Sequence, residues 1–228
     1  MKGYFVTATD TDAGKTFVGA ALLAAAGQAG LRTAALKPVA AGAEQTAEGL
    51  CNDDALILMK AANTPLPYPW VNPVCLTPAI APHVAARETG VELSVATVLE
   101  ACRPVLQTDV DWLLVEGAGG WRVPLNEKET VADLAKAFGF PVILVVAMRL
   151  GCINHALLSA EAIRADGLQL AGWIANSTTA EMHRYADNVA TLKQRLEAPL
   201  LGKIPYLPDA VPEAKYQQAA RFLQVPGI

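Results

Sequence analysis

The 228-residue chain has little charge: Asp, Glu, Lys and Arg make up 18% of it, and its 18 Lys and Arg are scattered among 22 Asp and Glu. A surface that follows a phosphate backbone needs clustered positive charge, so a net charge of -4 with no basic run argues against nucleic acid as a partner. Long apolar runs are missing as well. The two most apolar stretches, Phe17 to Ala26 and Pro141 to Met148, fall short of the about 18 residues a spanning helix needs, so both are expected to be buried core and no membrane contact is expected. The four cysteines, Cys51, Cys75, Cys102 and Cys152, form no C-x-x-C pair. Met1 to Thr7 runs from one lysine into a short strand without the apolar core and cleavage site of a signal peptide. The expectation is a cytoplasmic protein with reduced thiols.

The sequence is rich in hydrophobic residues, at 53%. That proportion predicts a sheet buried on both faces, and the length fits one large domain over residues 1–228. Strand-like runs lie at Tyr4 to Thr7, Thr33 to Leu36, Trp112 to Val115, Val142 to Val146, Leu170 to Ala175 and Leu200 to Ile204. Helical patterns fill the spaces at Thr16 to Ala29, Asp54 to Ala62, Val95 to Leu106, Val131 to Phe138, Asn154 to Ala165 and Glu181 to Leu196. This alternation predicts an α/β fold: a mainly parallel sheet, helices on both faces, and ligands at the carboxyl ends of the strands. Thr64 to Pro82 carries six prolines, which predicts an irregular but ordered excursion over the edge of that site.

The first strand runs into Ala8-Thr9-Asp10-Thr11-Asp12-Ala13-Gly14-Lys15-Thr16-Phe17 and then an alanine-rich helix. A phosphate loop belongs there. Backbone N–H groups and the helix N-terminus cradle phosphates, Lys15 reaches the β and γ groups, and the Thr16 hydroxyl suits Mg²⁺. Thr9 stands where the consensus has glycine, so the loop is a variant, and Gly-Lys-Thr alone could be an ordinary helix cap. A second feature supports it: Asp111 to Val115 leads into Glu116-Gly117-Ala118-Gly119-Gly120, an acid and glycine-rich turn closing an apolar strand. Such an acid can hold Mg²⁺ against a nucleotide. Lys37, before Pro38 and Val39, is placed to sit among phosphates or to be a solvated lysine beside a turn. After Asn52, one of Asp53 and Asp54 could cap a helix and the other complete a magnesium site.

These segments, together with Leu150-Gly151-Cys152-Ile153-Asn154-His155, resemble the dethiobiotin synthetases in order and spacing along nearly the whole chain. The resemblance implies a phosphate-loop NTPase fold and a cytosolic, Mg²⁺-dependent homodimer. It also implies a ligase joining 7,8-diaminononanoate and CO₂ at the expense of ATP, through a carbamate and a carbamic–phosphoric anhydride. It assigns Mg²⁺ to Thr16, Asp54 and Glu116, the phosphates to Lys15, and the carbamate and transferring phosphoryl group to Lys37. Nucleotide contacts are implied for Asp12, Ala13, Gly14, Phe17, Gly117, Ala118 and Gly119. Asn176, Pro205, Tyr206 and Leu207 fall at the adenine. Thr11, Lys37, Ala41, Gly151, Cys152, Ile153 and Asn154 fall at the substrate, the last four contributed by the partner subunit.

Three positions depart from the family pattern: Ala8 for glycine, Ala41 for a substrate-binding serine, and Asn188 for a tyrosine in some members. His83 matches it, with packing as the expected role. A nucleotide-controlled switch of the partitioning and division-site type would share fold and loop. Those proteins carry a lysine five residues before the phosphate-loop lysine, where this chain has Asp10.

Overall fold

The computed structural model describes residues 1–47, 49–208 and 212–228. In chain order its elements are β1 (Lys2–Ala8), α1 (Lys15–Gln28), β2 (Thr33–Leu36), β3 (Val39–Ala41), β4 (Glu44–Thr46), β5 (Gly49–Cys51), α2 (Asp53–Ala61), α3 (Tyr68–Val71), β6 (Val74–Leu76) and α4 (Pro82–Thr89). They continue with α5 (Val95–Ala101), α6 (Arg103–Leu106), β7 (Trp112–Gly120), α7 (Val131–Phe138), β8 (Val142–Ala147), α8 (Cys152–Ala165), β9 (Leu170–Asn176), α9 (Tyr185–Arg195), β10 (Leu200–Ile204) and α10 (Pro212–Ala220). The six predicted strands form one sheet in the order β10-β9-β8-β1-β7-β2, with every pairing parallel. Such a sheet must be covered on both sides, and it is.

Strand side chains alternate between faces, so each central strand feeds two cores. Tyr4, Val6 and Ala8 of β1 pack in one cluster with α1 and α10, while Phe5 enters the other, with α5, α7 and α8. Trp112 and Leu114 of β7 take the α1 face, and Leu113 and Val115 the opposite one. Glu116, next in that alternation, therefore falls on the α1 face. Ala35 of β2 lies on the same face, and Lys37 follows two residues later. Because Leu36 pairs with Val115, the next step of the register brings Lys37 beside Glu116. Simple period-two geometry thus places an acid and a lysine under the start of α1.

Several expectations need correction. β7 does not stop at Val115 but runs through Gly120, pairing Glu116 with Val6 and Gly120 with Ala8, so the acid sits within the strand. The helix expected over Val95 to Leu106 is two, because Pro104 has no amide to donate back to the preceding turn. The helix expected from Glu181 begins at Tyr185, after Arg184 in the left-handed region at φ 59°. The proline-rich stretch is partly regular: Tyr68–Val71 is helical, and Val74–Leu76 pairs with β3. That small sheet, the β4–β5 hairpin, and the short α4 and α10 had no periodic signature strong enough to be read. Among the described residues no helix is long and apolar enough to cross a membrane. All four cysteines are free, as expected.

Candidate active site

The loop between β1 and α1 is shaped by two left-handed residues, Asp12 at φ 59° and Gly14 at φ 86°. No side chain caps the first turn of α1, which leaves its N–H groups and positive end directed at the loop. Asn176, the last residue of β9 and only 2% exposed, is wedged beneath. Its Nδ2 donates to the Ala13 carbonyl at 2.9 Å, and its buried Oδ1 has no partner. A Cβ on Gly14 would collide with Asn176 Nδ2. Gly14→Ala is therefore expected to weaken binding of a non-hydrolysable ATP analogue at least about tenfold, since the left-handed backbone alone costs about 1–2 kcal/mol with an L side chain. Calorimetric titration checks this. Unaltered affinity in the folded variant would show that the loop's shape is not what holds phosphate.

Behind the loop, the charged residues converge. Lys37 Nζ donates to Glu116 Oε1 at 2.5 Å, to Asp54 Oδ2 at 3.2 Å and to the Gly117 carbonyl at 3.4 Å. Thr16 Oγ1 donates to the same Glu116 Oε1 at 2.9 Å, and Lys15 Nζ to the Asp10 carbonyl at 3.4 Å. Glu116 is wholly buried and Lys37 only 3% exposed, whereas the Asp54 side chain is 46% exposed. Burial works to discharge Lys37, but Glu116 and Asp54 outweigh it and hold the ammonium above its ordinary pKa. At Lys15 burial prevails over the same carboxylates and lowers the pKa. Asn52, not Asp53, caps α2 by accepting from the Ala55 N–H, leaving Asp54 free for Lys37 and Asp53 exposed.

A cavity of about 930 Å³ opens here. Thr11, Asp12, Gly14, Lys15, Thr16 and Phe17 form one wall, Lys37, Ala41 and Asp54 another, and Ala118 with Gly119 a third. Ala79 to Pro82 of the proline-rich stretch make the rim, matching the expected excursion. Ala13 is fully buried behind the wall. Pro205 and Tyr206 line a neighbouring cavity of about 710 Å³ with Ser177 and Tyr185, while Leu207 packs against the α1-side core instead. Gly151, Cys152, Ile153 and Asn154 reach neither cavity. They form the cap and first turn of α8, which starts at Cys152, earlier than expected, after Gly151 at φ 94°. Asn188 accepts from Cys152 Sγ at 3.9 Å. Ala8 is buried in β1. His83 is the second residue of α4, and its buried Nδ1 is unpartnered.

Thr16, Asp54 and Glu116 present hard oxygen donors, and Glu116 Oε2 is buried without a hydrogen-bond partner, which fits a divalent cation. Among the described residues no group of three or more His, Cys, Asp or Glu could hold a metal by itself. Mg²⁺ commonly takes one or two carboxylates and completes its shell with phosphates and water. Sequence reading missed one cluster: Asp10 Oδ2 accepts from His155 Nδ1 at 3.0 Å and from Arg149 at 2.9 Å. Partners some 145 positions apart leave no local pattern.

Residues 2–214 match the family profile of an AAA domain. The chain is 58% identical over 214 residues to the ATP-dependent dethiobiotin synthetase BioD of Pseudomonas aeruginosa, covering 94% of each. It is 51% identical to the protein of that name from Chromohalobacter salexigens, over 100% of this chain and 99% of that one. The corresponding Cellvibrio japonicus protein is 54% identical over 93% of each. Among solved structures, the septum site-determining protein MinD of Pyrococcus horikoshii with Mg-ADP gives a TM-score of 0.56 at 16% identity, over 96% of this chain and 94% of that one. This likeness shows a shared phosphate-loop fold and no more. With such identity over nearly its full length, the chain belongs to the ATP-dependent dethiobiotin synthetases, ATP-using ligases of biotin biosynthesis.

Proposed function

We propose that residues 1–228 form one ligase domain that closes the ureido ring of dethiobiotin from 7,8-diaminononanoate, CO₂ and ATP. The observation that carries this reading is the buried Lys37 bridging Glu116 and Asp54 beside Thr16 at the foot of the phosphate loop. One amine takes up CO₂ as a carbamate. A carbamate oxygen then bonds to the γ-phosphorus as ADP leaves, giving a carbamic–phosphoric anhydride. The second amine attacks the carbonyl carbon, its C–O bond to phosphate breaks, and the ring closes with loss of a proton. No protein nucleophile takes part, so the chain's work is positioning and charge stabilisation.

In this reading the loop, from Asp12 through Phe17, wraps the phosphates with Gly117, Ala118 and Gly119 opposite, and Lys15 grips the β and γ oxygens. Lys37 faces the negative charge that develops on the transferring group, and Thr11 and Ala41 contact the substrate. Asn176, whose unpartnered Oδ1 can accept from an exocyclic amine, reads the adenine with Pro205, Tyr206 and Leu207 around it. Thr16, Asp54 and Glu116 would hold Mg²⁺, which when bound neutralises the β,γ-phosphate oxygens. Gly151 to Asn154 lie outside the cavity of their own chain. At a helix start, with Gly151 and Asn154 exposed, they suit the substrate carboxylate of a partner subunit in a cytoplasmic homodimer. The experiment is ADP release measured with diaminononanoate and bicarbonate added singly and together. Only the pair should accelerate it, and equal rates without the amine would overturn the reading.

The metal assignment makes its own prediction. Glu116→Gln and Asp54→Asn should each raise the Mg²⁺ concentration for half-maximal activity, by about tenfold or more, because Mg²⁺ is held by few protein oxygens. Asp53→Ala should not. A Mg²⁺ titration in which Glu116→Gln matches the parent would remove Glu116 from the cation's shell.

A further inference from the structure

We infer that Asp10 is a positioning residue that fixes the phosphate loop against the start of α8. Its Oδ2 takes a hydrogen bond from His155 Nδ1 at 3.0 Å and an ion pair from Arg149 at 2.9 Å. Arg149 precedes Gly151 to Asn154 and His155 follows them, so the two contacts straddle that segment. On the other side, the Asp10 carbonyl accepts from Lys15 Nζ at 3.4 Å, and the next residue, Thr11, lines the cavity. One residue thus touches both parts.

The side chains are 31% exposed at Asp10, 42% at His155 and 53% at Arg149. Ion pairs so open to water add little to folding stability, so the cluster's effect lies in geometry. The inference rests on the reading that the first turn of α8 receives the amine substrate's carboxylate: if α8 serves one site and the loop another, Asp10 connects the two.

The test uses the full-length enzyme with Asp10→Asn, His155→Gln, Arg149→Gln and the Asp10→Asn/His155→Gln pair. Asp10→Asn and His155→Gln should each raise KM for diaminononanoate about three- to tenfold, the range expected of coupling residues. For His155→Gln, which lies outside the phosphate loop, the turnover number and the affinity for an ATP analogue should stay within about twofold. Because both act through one contact, the double variant should be no worse than the worse single. Arg149→Gln and His155→Gln leave the phosphate loop's sequence intact, so they carry the test should Asp10→Asn fail to fold. Unchanged KM in these variants, multiplying effects in the pair, or a parallel loss of ATP affinity and thermal stability overturns the inference. A parent enzyme with no amine-dependent turnover would remove the functional reading itself, and the inference with it.

Discussion

Lys37→Ala is expected to lose at least about 100-fold in turnover while binding an ATP analogue within about threefold of the parent, because stabilising charge acts where charge develops in the transition state. Lys15→Ala should lose both, since its ammonium lies within the phosphate loop. The buried setting of Lys37 adds a stability effect with a definite sign. Glu116 is 0% exposed and would lose the ammonium that donates to its Oε1. Removing one partner of such a pair costs about 3–5 kcal/mol. Asp54, nearly half exposed, adds little. Chemical denaturation of Lys37→Ala should therefore show a large loss, most of it recovered by adding Glu116→Gln, while turnover stays low in both. Equal loss of nucleotide binding in the Lys15 and Lys37 variants would refute the division of labour.

A mixture of two inactive proteins, Lys37→Ala and Gly151→Asp, should regain activity when subunits exchange. Nothing lies within 4 Å of an added Cβ at Gly151, but its φ of 94° strains any L side chain by about 1–2 kcal/mol, so the variant is first shown to be folded by circular dichroism. The new carboxylate would face the substrate's own, a repulsion worth about 4 kcal/mol at 4 Å and an effective dielectric near 20. Turnover of dilute substrate should fall by orders of magnitude. In a mixed dimer with shared sites, one site inherits both defects and the other neither. Each variant alone stays dead and the mixture revives toward a quarter of parental activity, since about half the dimers are mixed and each has one intact site of two. Persistent inactivity with proven exchange would place Gly151 and Lys37 in one chain's site.

The parts of this architecture that repeat along the chain could be read from it. Six buried strands announce themselves as apolar runs, and the loop from Thr9 to Thr16 is contiguous, so its strand–loop–helix context was visible. Lys37 and Glu116 were each legible as the residue beyond a strand. Their direct contact was not, because it depends on β2 and β7 being neighbours, an order no local pattern encodes. The extension of β7 through Gly117 to Gly120 was hidden because glycines read as a turn until parallel partners supply their hydrogen bonds. The same holds for β3 and β6, three residues each, which exist by pairing with one another. Asp10 is legible only as a departure from a lysine-bearing motif. Its carboxylate meets His155 only because β1 and β8 lie side by side.

The measurement closest to the central claim follows oxygen. With ¹⁸O-labelled CO₂ and bicarbonate, unlabelled water and prompt quenching, a carbamate oxygen that attacks the γ-phosphorus must leave with phosphate when the ring closes. The account predicts one ¹⁸O in each inorganic phosphate released and one in the ureido carbonyl of dethiobiotin, read by mass spectrometry. Phosphate carrying no label, formed alongside labelled dethiobiotin, would show that ATP is hydrolysed by water and that carbamate phosphorylation is not the step this site performs.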